Sequence, residues 1–232
     1  HFNNIVKHHS LKVNSFLKNF RVLVIEKFDQ KEILQKYFIE NEWMFKVALY
    51  GNTLDYYFIN KINYNKDKIF DFVKNGKLLK GAGIERGKDC KKYDGLIGFP
   101  IIENNDINEY YTVTDKSQIL SENDVYLSRG RNKEIFLGEK ILLKEQSKNW
   151  NKPVISYVES DSVFRKGTFS ISSNDKNFLK FLYTILISDL YNYHLFYITG
   201  AWGIGTRPAI RFDDEYLNFP IVIANEEIRT KI

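Results

Sequence analysis

The stretch at residues 174–200, NDKNFLKFLYTILISDLYNYHLFYITG, decides the fold of the carboxy-terminal part of the chain. Its apolar side chains recur at three- and four-residue spacing, which is the spacing of one helix face. Asn174 can cap the amino end of a helix, and Gly200 can end it. The pattern predicts a long helix from Asp175 to about Thr199, with an apolar face formed by Phe178, Phe181, Leu182, Ile185, Leu186 and Leu190.

The same stretch is the most apolar part of the chain, but it does not predict a membrane span. Between residues 178 and 198 it is interrupted by Lys180, Asp189, Asn192 and His194. A spanning helix needs about 20 consecutive, predominantly apolar residues. We therefore expect a helix in the core of a cytoplasmic protein with no membrane partner.

Five short apolar runs precede this helix and predict a sheet. Turn-forming pairs such as Asn104-Asn105 and Lys166-Gly167 separate several of them. The connections are too short for helical crossovers, so the sheet is expected to be mixed but largely antiparallel. The runs lie at residues 96–102, 107–113, 124–127, 140–144 and 153–158.

The first 75 residues have mostly helical spacing. Residues 31–39 place Ile33, Leu34, Tyr37 and Phe38 on one face, and Asn52-Thr53 can cap a helix at 54–62. Residues 21–26 form an apolar run that favours a strand. The predicted fold class is therefore α+β, with a helical amino-terminal segment, the sheet and the long carboxy-terminal helix. The predicted domain boundary lies near Asn75.

Composition permits a polyanionic partner without requiring one. Lys and Arg number 34 against 29 Asp and Glu, which gives a net charge of +5 and a pI near 9.0. The single Cys90 cannot form an internal disulfide, and no secretory segment is visible at the start. Because the chain begins with His1 and not Met, we expect a fragment of a longer protein.

Four groups of residues occur in a recognisable order: 41–55 (NEWMFKVALYGNTLD); 81–89 (GAGIERGKD) with 98–100 (GFP); 140–145 (KILLKE) with 152–154 (KPV); and 191–193 (YNY) with 202–207 (WGIGTR) and 217–220 (LNFP). Together they resemble the carboxy-terminal region of adenine-specific DNA methyltransferases from type I and type IIG restriction-modification systems. The likeness covers about residues 41–222. Each piece is degenerate, so the resemblance depends on their order and spacing.

This resemblance implies a function in recognition. Residues 1–75 would be a helical connector or remnant that follows the methyltransferase core, and residues 76–232 a DNA target recognition domain. The implied partners are double-stranded DNA and the catalytic domain of the parent chain. S-adenosylmethionine is expected for that missing domain, and no cofactor is expected for this fragment.

The sequence lacks the chemistry of methyl transfer. That reaction needs an Asn-Pro-Pro-Tyr or Asp-Pro-Pro-Tyr loop that holds the flipped base. All four prolines, Pro100, Pro153, Pro208 and Pro220, are isolated. Gly81-Ala82-Gly83 and Gly203-Ile204-Gly205 lack the spacing of a phosphate loop and predict turns. We expect no catalytic residue and no metal site in the fragment. The parent protein is expected to methylate adenine, and the sequence leaves open whether it also cleaves DNA.

Candidate DNA contacts follow from residue type and context. Arginine can bond both acceptors of guanine, and the arginines expected to do so lie beside glycines or in predicted turns: Arg86, Arg129, Arg131, Arg165 and Arg207. The lysines expected to contact phosphates are Lys88, Lys91, Lys92, Lys144, Lys148 and Lys166.

Two alternatives remain open at this point. One is a small metal-dependent nuclease built on Asp89 and Lys91, with Asp67 or Asp71 upstream. The other is a scaffold domain of the same assembly that does not bind DNA. In the scaffold hypothesis, the helical start and the final helix dock onto other subunits.

Overall fold

The computed structural model describes residues 4–9, 27, 30–64, 66–85, 91–113, 118–123, 125–127, 132–146, 152–200, 202–204 and 209–222. The chain forms two compact units. One comprises His1–Tyr64 with Tyr197–Gly200, and the other comprises Asn65–Phe196 with Ala201–Ile232. The predicted strand at 21–26 lies outside the described residues.

The first unit begins with an antiparallel strand pair and continues as helices. Strand β1 (Ile5–His9) pairs with β2 (Gln30–Leu34). Helices α1 (Gln35–Glu40), α2 (Met44–Tyr50) and α3 (Thr53–Asn63) follow. The helix predicted across 31–39 is therefore wrong in its first half, because pairing with β1 draws residues 30–34 into a strand.

The predicted cap of α3 is confirmed. The Asn52 side chain accepts a hydrogen bond from the Leu54 amide at 2.7 Å, and the Asp55 carboxylate accepts one from the Asn52 amide at 2.7 Å. This reciprocal arrangement satisfies two amides that the first helical turn leaves without intrahelical partners. Since the signal is local, the sequence was sufficient to find it.

The second unit contains most of the strands. Its elements, in chain order, are α4 (Ile69–Lys74), β3 (Leu79–Ala82), β4 (Lys91–Lys92), β5 (Pro100–Ile102), β6 (Gln118–Ile119), β7 (Tyr126–Leu127), β8 (Lys140–Lys144), β9 (Ile155–Val158), β10 (Val163–Phe164), β11 (Thr168–Ser172), α5 (Lys176–Leu186) and α6 (Asp189–Ile198). The last two residues of α6 belong to the first unit.

The main sheet has the order β3-β11-β8-β9 and is antiparallel throughout. A smaller sheet has the order β10-β5-β6, in which β10 and β5 are parallel, and β4 pairs with β7. The α+β class and the largely antiparallel sheet are thus confirmed. The predicted strand at 140–144 has the bounds of β8, whereas 107–113 contributes only isolated bridges.

Strand β8 lies at the centre of this unit. Ile141, Leu142 and Leu143 are all fully buried, so both faces of the strand are covered. Leu142 belongs to an apolar cluster with Phe136 and Phe164. Because successive side chains alternate across a strand, Ile141 and Leu143 point to the opposite face, and α5 packs against β8 and β9.

The predicted carboxy-terminal helix is present as two helices, α5 and α6. Asp175, and not Asn174, caps α5 by accepting a hydrogen bond from the Phe178 amide at 2.9 Å. The Ser188 hydroxyl bonds the Ile185 carbonyl at 2.6 Å and accepts from the Tyr191 amide at 3.2 Å, so a new cap separates the helices. In the described part of the chain, no helix has the length and hydropathy to cross a membrane.

Lys140, the first residue of β8, is a fully buried lysine. Its ammonium group donates hydrogen bonds to the Gly138 carbonyl at 2.7 Å, the Ser160 carbonyl at 2.6 Å and the Ser162 hydroxyl at 3.3 Å. These bonds join the two chain segments that flank the β8–β9 hairpin. Burial nevertheless disfavours the charged form and lowers the pKa of Lys140 to about 8, against a weaker opposing effect of Asp161.

The depressed pKa of Lys140 predicts a pH-dependent stability. Between about pH 8 and the ordinary lysine pKa of 10.5, the unfolded chain binds a proton that the folded chain has released. The free energy of unfolding therefore rises with pH across this window. Between about pH 7.5 and pH 9.5, we expect the free energy of unfolding of wild type to rise by about 2 kcal/mol relative to that of Lys140→Met, as measured by urea titration. A difference that stays constant over this range would show that the amine has its ordinary pKa.

Candidate functional site

The turn between β10 and β11 forms one side of the candidate site. Arg165 makes a parallel bridge with Ile84. The Ile84 amide donates to the Phe164 carbonyl at 2.8 Å, and the Lys166 amide donates to the Ile84 carbonyl at 2.9 Å. The segment that follows β3 is therefore held alongside the turn by backbone hydrogen bonds.

The carboxyl end of β8 joins the turn from the other side. The Glu145 amide donates to the Gly167 carbonyl at 2.8 Å, and the Ile210 amide donates to the Glu145 carbonyl at 2.8 Å. Gln146 and Ala209 form an antiparallel bridge. These backbone bonds join the turn to the residues next to Glu85, Gln146 and Ala209, and we call this set of bonded residues the rim. The chain continues from the rim after Glu85, after Gln146 and before Ala209.

Asn104 connects these segments through its side chain and its backbone. Its side-chain amide donates to the Lys166 carbonyl at 2.9 Å, and its side-chain oxygen accepts from the Thr168 hydroxyl at 2.9 Å. Its backbone carbonyl accepts from the Lys144 ammonium at 2.6 Å. We call the resulting group the polar edge, defined as Glu85, Glu103, Asn104, Lys144, Arg165 and Lys166.

Two cations of the polar edge form ion pairs within the protein. Arg165 Nε lies 2.8 Å from Glu103 Oε1, and Lys166 Nζ lies 2.5 Å from Glu85 Oε1. The Arg165 side chain is 21% exposed, whereas that of Lys166 is 64% exposed. Arg165 is therefore held more closely by its surroundings than Lys166.

The structure brings together three of the predicted DNA contacts, namely Lys144, Arg165 and Lys166. Lys92 lies elsewhere, on β4, where its ammonium is 2.8 Å from the Asp94 carboxylate. The hydrogen bond and charge of Asp94 raise the pKa of Lys92. Lys91 contributes its backbone to β4, but its side chain is outside the described part, as are Arg86, Lys88, Arg129, Arg131, Lys148 and Arg207.

Four segments carry predicted contacts that lie outside the described residues, and three of these segments adjoin described residues near this edge. Residues 86–90 follow Glu85, and residues 147–151 follow Gln146. Residues 205–208 precede Ala209, which forms a bridge with Gln146. Residues 128–131 follow Leu127, the last residue of β7. Leu127 pairs with Lys91, the residue that comes after 86–90. We call 86–90, 128–131, 147–151 and 205–208 the four basic segments.

The four basic segments account for the net charge of the chain. They contain six Lys or Arg residues and one Asp. The whole chain has 34 basic and 29 acidic residues, so 28 of each remain elsewhere. The positive excess therefore belongs to these four segments, three of which adjoin residues joined by the hydrogen-bonded rim.

Sequence reasoning missed the residues that assemble the edge. Gly81 and Ala82, predicted to be in a turn, are the last residues of β3. A Cβ added at Gly83 would lie 2.2 Å from the Arg165 carbonyl oxygen, so the backbones approach too closely for any side chain. The glycine was visible in the sequence, but the partner that requires it lies far along the chain.

Of the residues proposed for a nuclease, Asp71 has another role, and Asp89 and the Lys91 side chain are not described. The Asp71 carboxylate accepts a hydrogen bond from the Lys68 amide at 2.9 Å and caps α4, while Asp89 lies outside the described residues. Within the described ranges, no group of three or more His, Cys, Asp or Glu residues is placed to hold a metal ion.

Comparisons with known proteins add no assignment. No family matches this chain, and no curated protein is significantly similar to it.

The close approach at Gly83 predicts a substitution effect. In Gly83→Ala, the new methyl group would collide with the backbone of Phe164 and Arg165, which cannot move without breaking the bridge to Ile84. We expect a loss of about 1–3 kcal/mol in the free energy of unfolding, measured by urea denaturation.

Gly95→Ala is the matched control, because its Cβ would meet Lys133 Cδ at an ordinary 3.5 Å. Equal stability of the two variants would contradict the tight packing at Gly83.

Proposed function

We propose that this chain is the DNA-specificity part of a restriction-modification adenine methyltransferase and that it binds double-stranded DNA through the polar edge and the four basic segments. The observation that carries the proposal is that, of the four segments holding the chain's positive excess, three are next to described residues joined by one rim. The ordered resemblance described above supports the same function.

The physical requirements of DNA binding fit this distribution of charge. Affinity for a duplex comes largely from cations that neutralise phosphates and release counterions. Specificity requires side chains that reach base edges from a supported backbone. Cations on segments that continue from a hydrogen-bonded rim meet both needs, since the rim determines where three of the four basic segments start.

In this proposal the methyl-transfer chemistry belongs to a separate catalytic domain of the parent protein. That domain would bind S-adenosylmethionine and the target adenine. Gly81 and Gly83 do not fit a cofactor cradle here, because a Cβ at these positions would meet Ile135 and the Arg165 backbone. The chain itself would contribute recognition and no catalytic step.

A scaffold role is the second candidate, and an observation within the first unit favours it. Helices α2 and α3 expose several large apolar side chains, which is unusual unless such a surface meets a partner: Phe45, Leu49, Leu54, Tyr57 and Phe58. A scaffold that does not bind DNA would use these residues and leave the basic segments without a ligand.

Salt-dependent binding to random duplex DNA separates the two candidates. We expect micromolar or weaker affinity at physiological salt and a steep fall with increasing salt. Lys88→Ala/Lys148→Ala removes two of the lysines expected to contact phosphates and should reduce the slope of log affinity against log salt by up to about 2. Fluorescence anisotropy over a range of salt concentrations measures both quantities.

Lys61→Ala/Lys66→Ala is the control, because it removes the same charge from two exposed lysines outside the basic segments. This control should keep the wild-type slope. Equal effects of the two double variants would indicate a general charge effect, and no wild-type binding at low salt would favour the scaffold.

A further inference from the structure

Arg165 is firmly positioned in the polar edge. Its backbone is bridged to Ile84 and lies against Gly83 at a distance that excludes a Cβ. Its carbonyl accepts a hydrogen bond from the Thr168 amide at 3.2 Å. The side chain therefore starts from a backbone that is held on both sides.

The guanidinium of Arg165 is oriented by one carboxylate. Its Nε donates to Glu103 Oε1 at 2.8 Å, and no second bond of this group is made within the described part of the chain. A guanidinium has five N–H donors in one plane, so four donors on the two terminal nitrogens are left for an outside acceptor. The Glu103 contact determines the direction in which they point.

We propose that Arg165 reads a guanine in the major groove and that Glu103 is its positioning residue. The inference rests on the proposed function and names the base that this part of the edge recognises. Two donors of a planar fork match the O6 and N7 acceptors of guanine.

Charge favours a base over a phosphate at this position. The Glu103 carboxylate neutralises the guanidinium locally and would repel an approaching phosphate. The ion pair does not change the direction of the remaining N–H donors of Arg165. Because a base edge is uncharged, the Glu103 carboxylate does not repel it as it would repel a phosphate. The ion pair therefore weakens attraction to the backbone of DNA while keeping the hydrogen bonds that a base can accept.

The neighbouring lysines suit other roles. Lys166 is a point charge on a largely exposed side chain and is better adapted to a phosphate. The Lys144 ammonium bonds the Asn104 carbonyl and helps to hold the edge together. Arg165 alone among these three has the planar group that bonds two acceptors of one base.

The test is selection of bound sequences from a random duplex library by the intact chain, together with salt titrations. Wild type should enrich a guanine at one position. Arg165→Gln should lose that preference by about tenfold or more and keep the salt slope. Arg165→Lys, which retains the charge and the stem, should also lose it, because an ammonium lacks the planar fork.

Glu103 variants test positioning separately. Glu103→Gln keeps an acceptor for Arg165 Nε, so it should keep the guanine preference and bind all DNA more tightly. Glu103→Ala removes the acceptor and should lose the preference. Loss of the preference in both variants, or in neither, would overturn the positioning role. Thermal melts of each variant check that the fold is retained.

Two further outcomes distinguish this inference from the proposed function. If Arg165→Gln weakens binding to all sequences equally and lowers the salt slope by about one, Arg165 contacts a phosphate and only the base-reading inference fails. Salt-dependent wild-type binding with no enriched guanine also overturns this inference alone. If wild type shows no salt-dependent binding, both proposals fail.

Discussion

Burial of strand β8 on both faces is the constraint on which the second unit depends. Its apolar residues are covered by the Phe136 and Phe164 cluster on one side and by α5 on the other. Hydrogen bonding to β11 and β9 satisfies its backbone, so the strand has no free edge. With β8 held in this way, Lys144 and Glu145 have to emerge at the polar edge.

The two ends of β8 use lysine in different ways. At the amino end, Lys140 is buried and holds two carbonyls and a hydroxyl of the adjoining segments. At the carboxyl end, Lys144 bonds the backbone of Asn104 and so ties the smaller sheet to the larger one. Both lysines contribute to the architecture through hydrogen bonds to the backbone, and neither needs a ligand for this role.

The polar edge and the basic segments have complementary properties. In the edge, Glu103 and Glu85 balance the charges of Arg165 and Lys166. The excess charge is in the basic segments. With such a division, the basic segments would attract DNA over a long range. The groups held in fixed directions at the polar edge would discriminate between base sequences. Specific DNA binding requires both effects.

By itself, the sequence determined the α+β class, β8, the cap of α3 and the carboxy-terminal helical region, because each follows from periodicity or from groups a few residues apart. Tertiary structure alone decided the strand at Gln30–Leu34, whose partner β1 lies more than twenty residues away. Tertiary structure also determined which residues meet at the polar edge. Arg165 and Glu103 are 62 residues apart, and only long-range strand pairing brings them together, so no local pattern could have identified them as a pair.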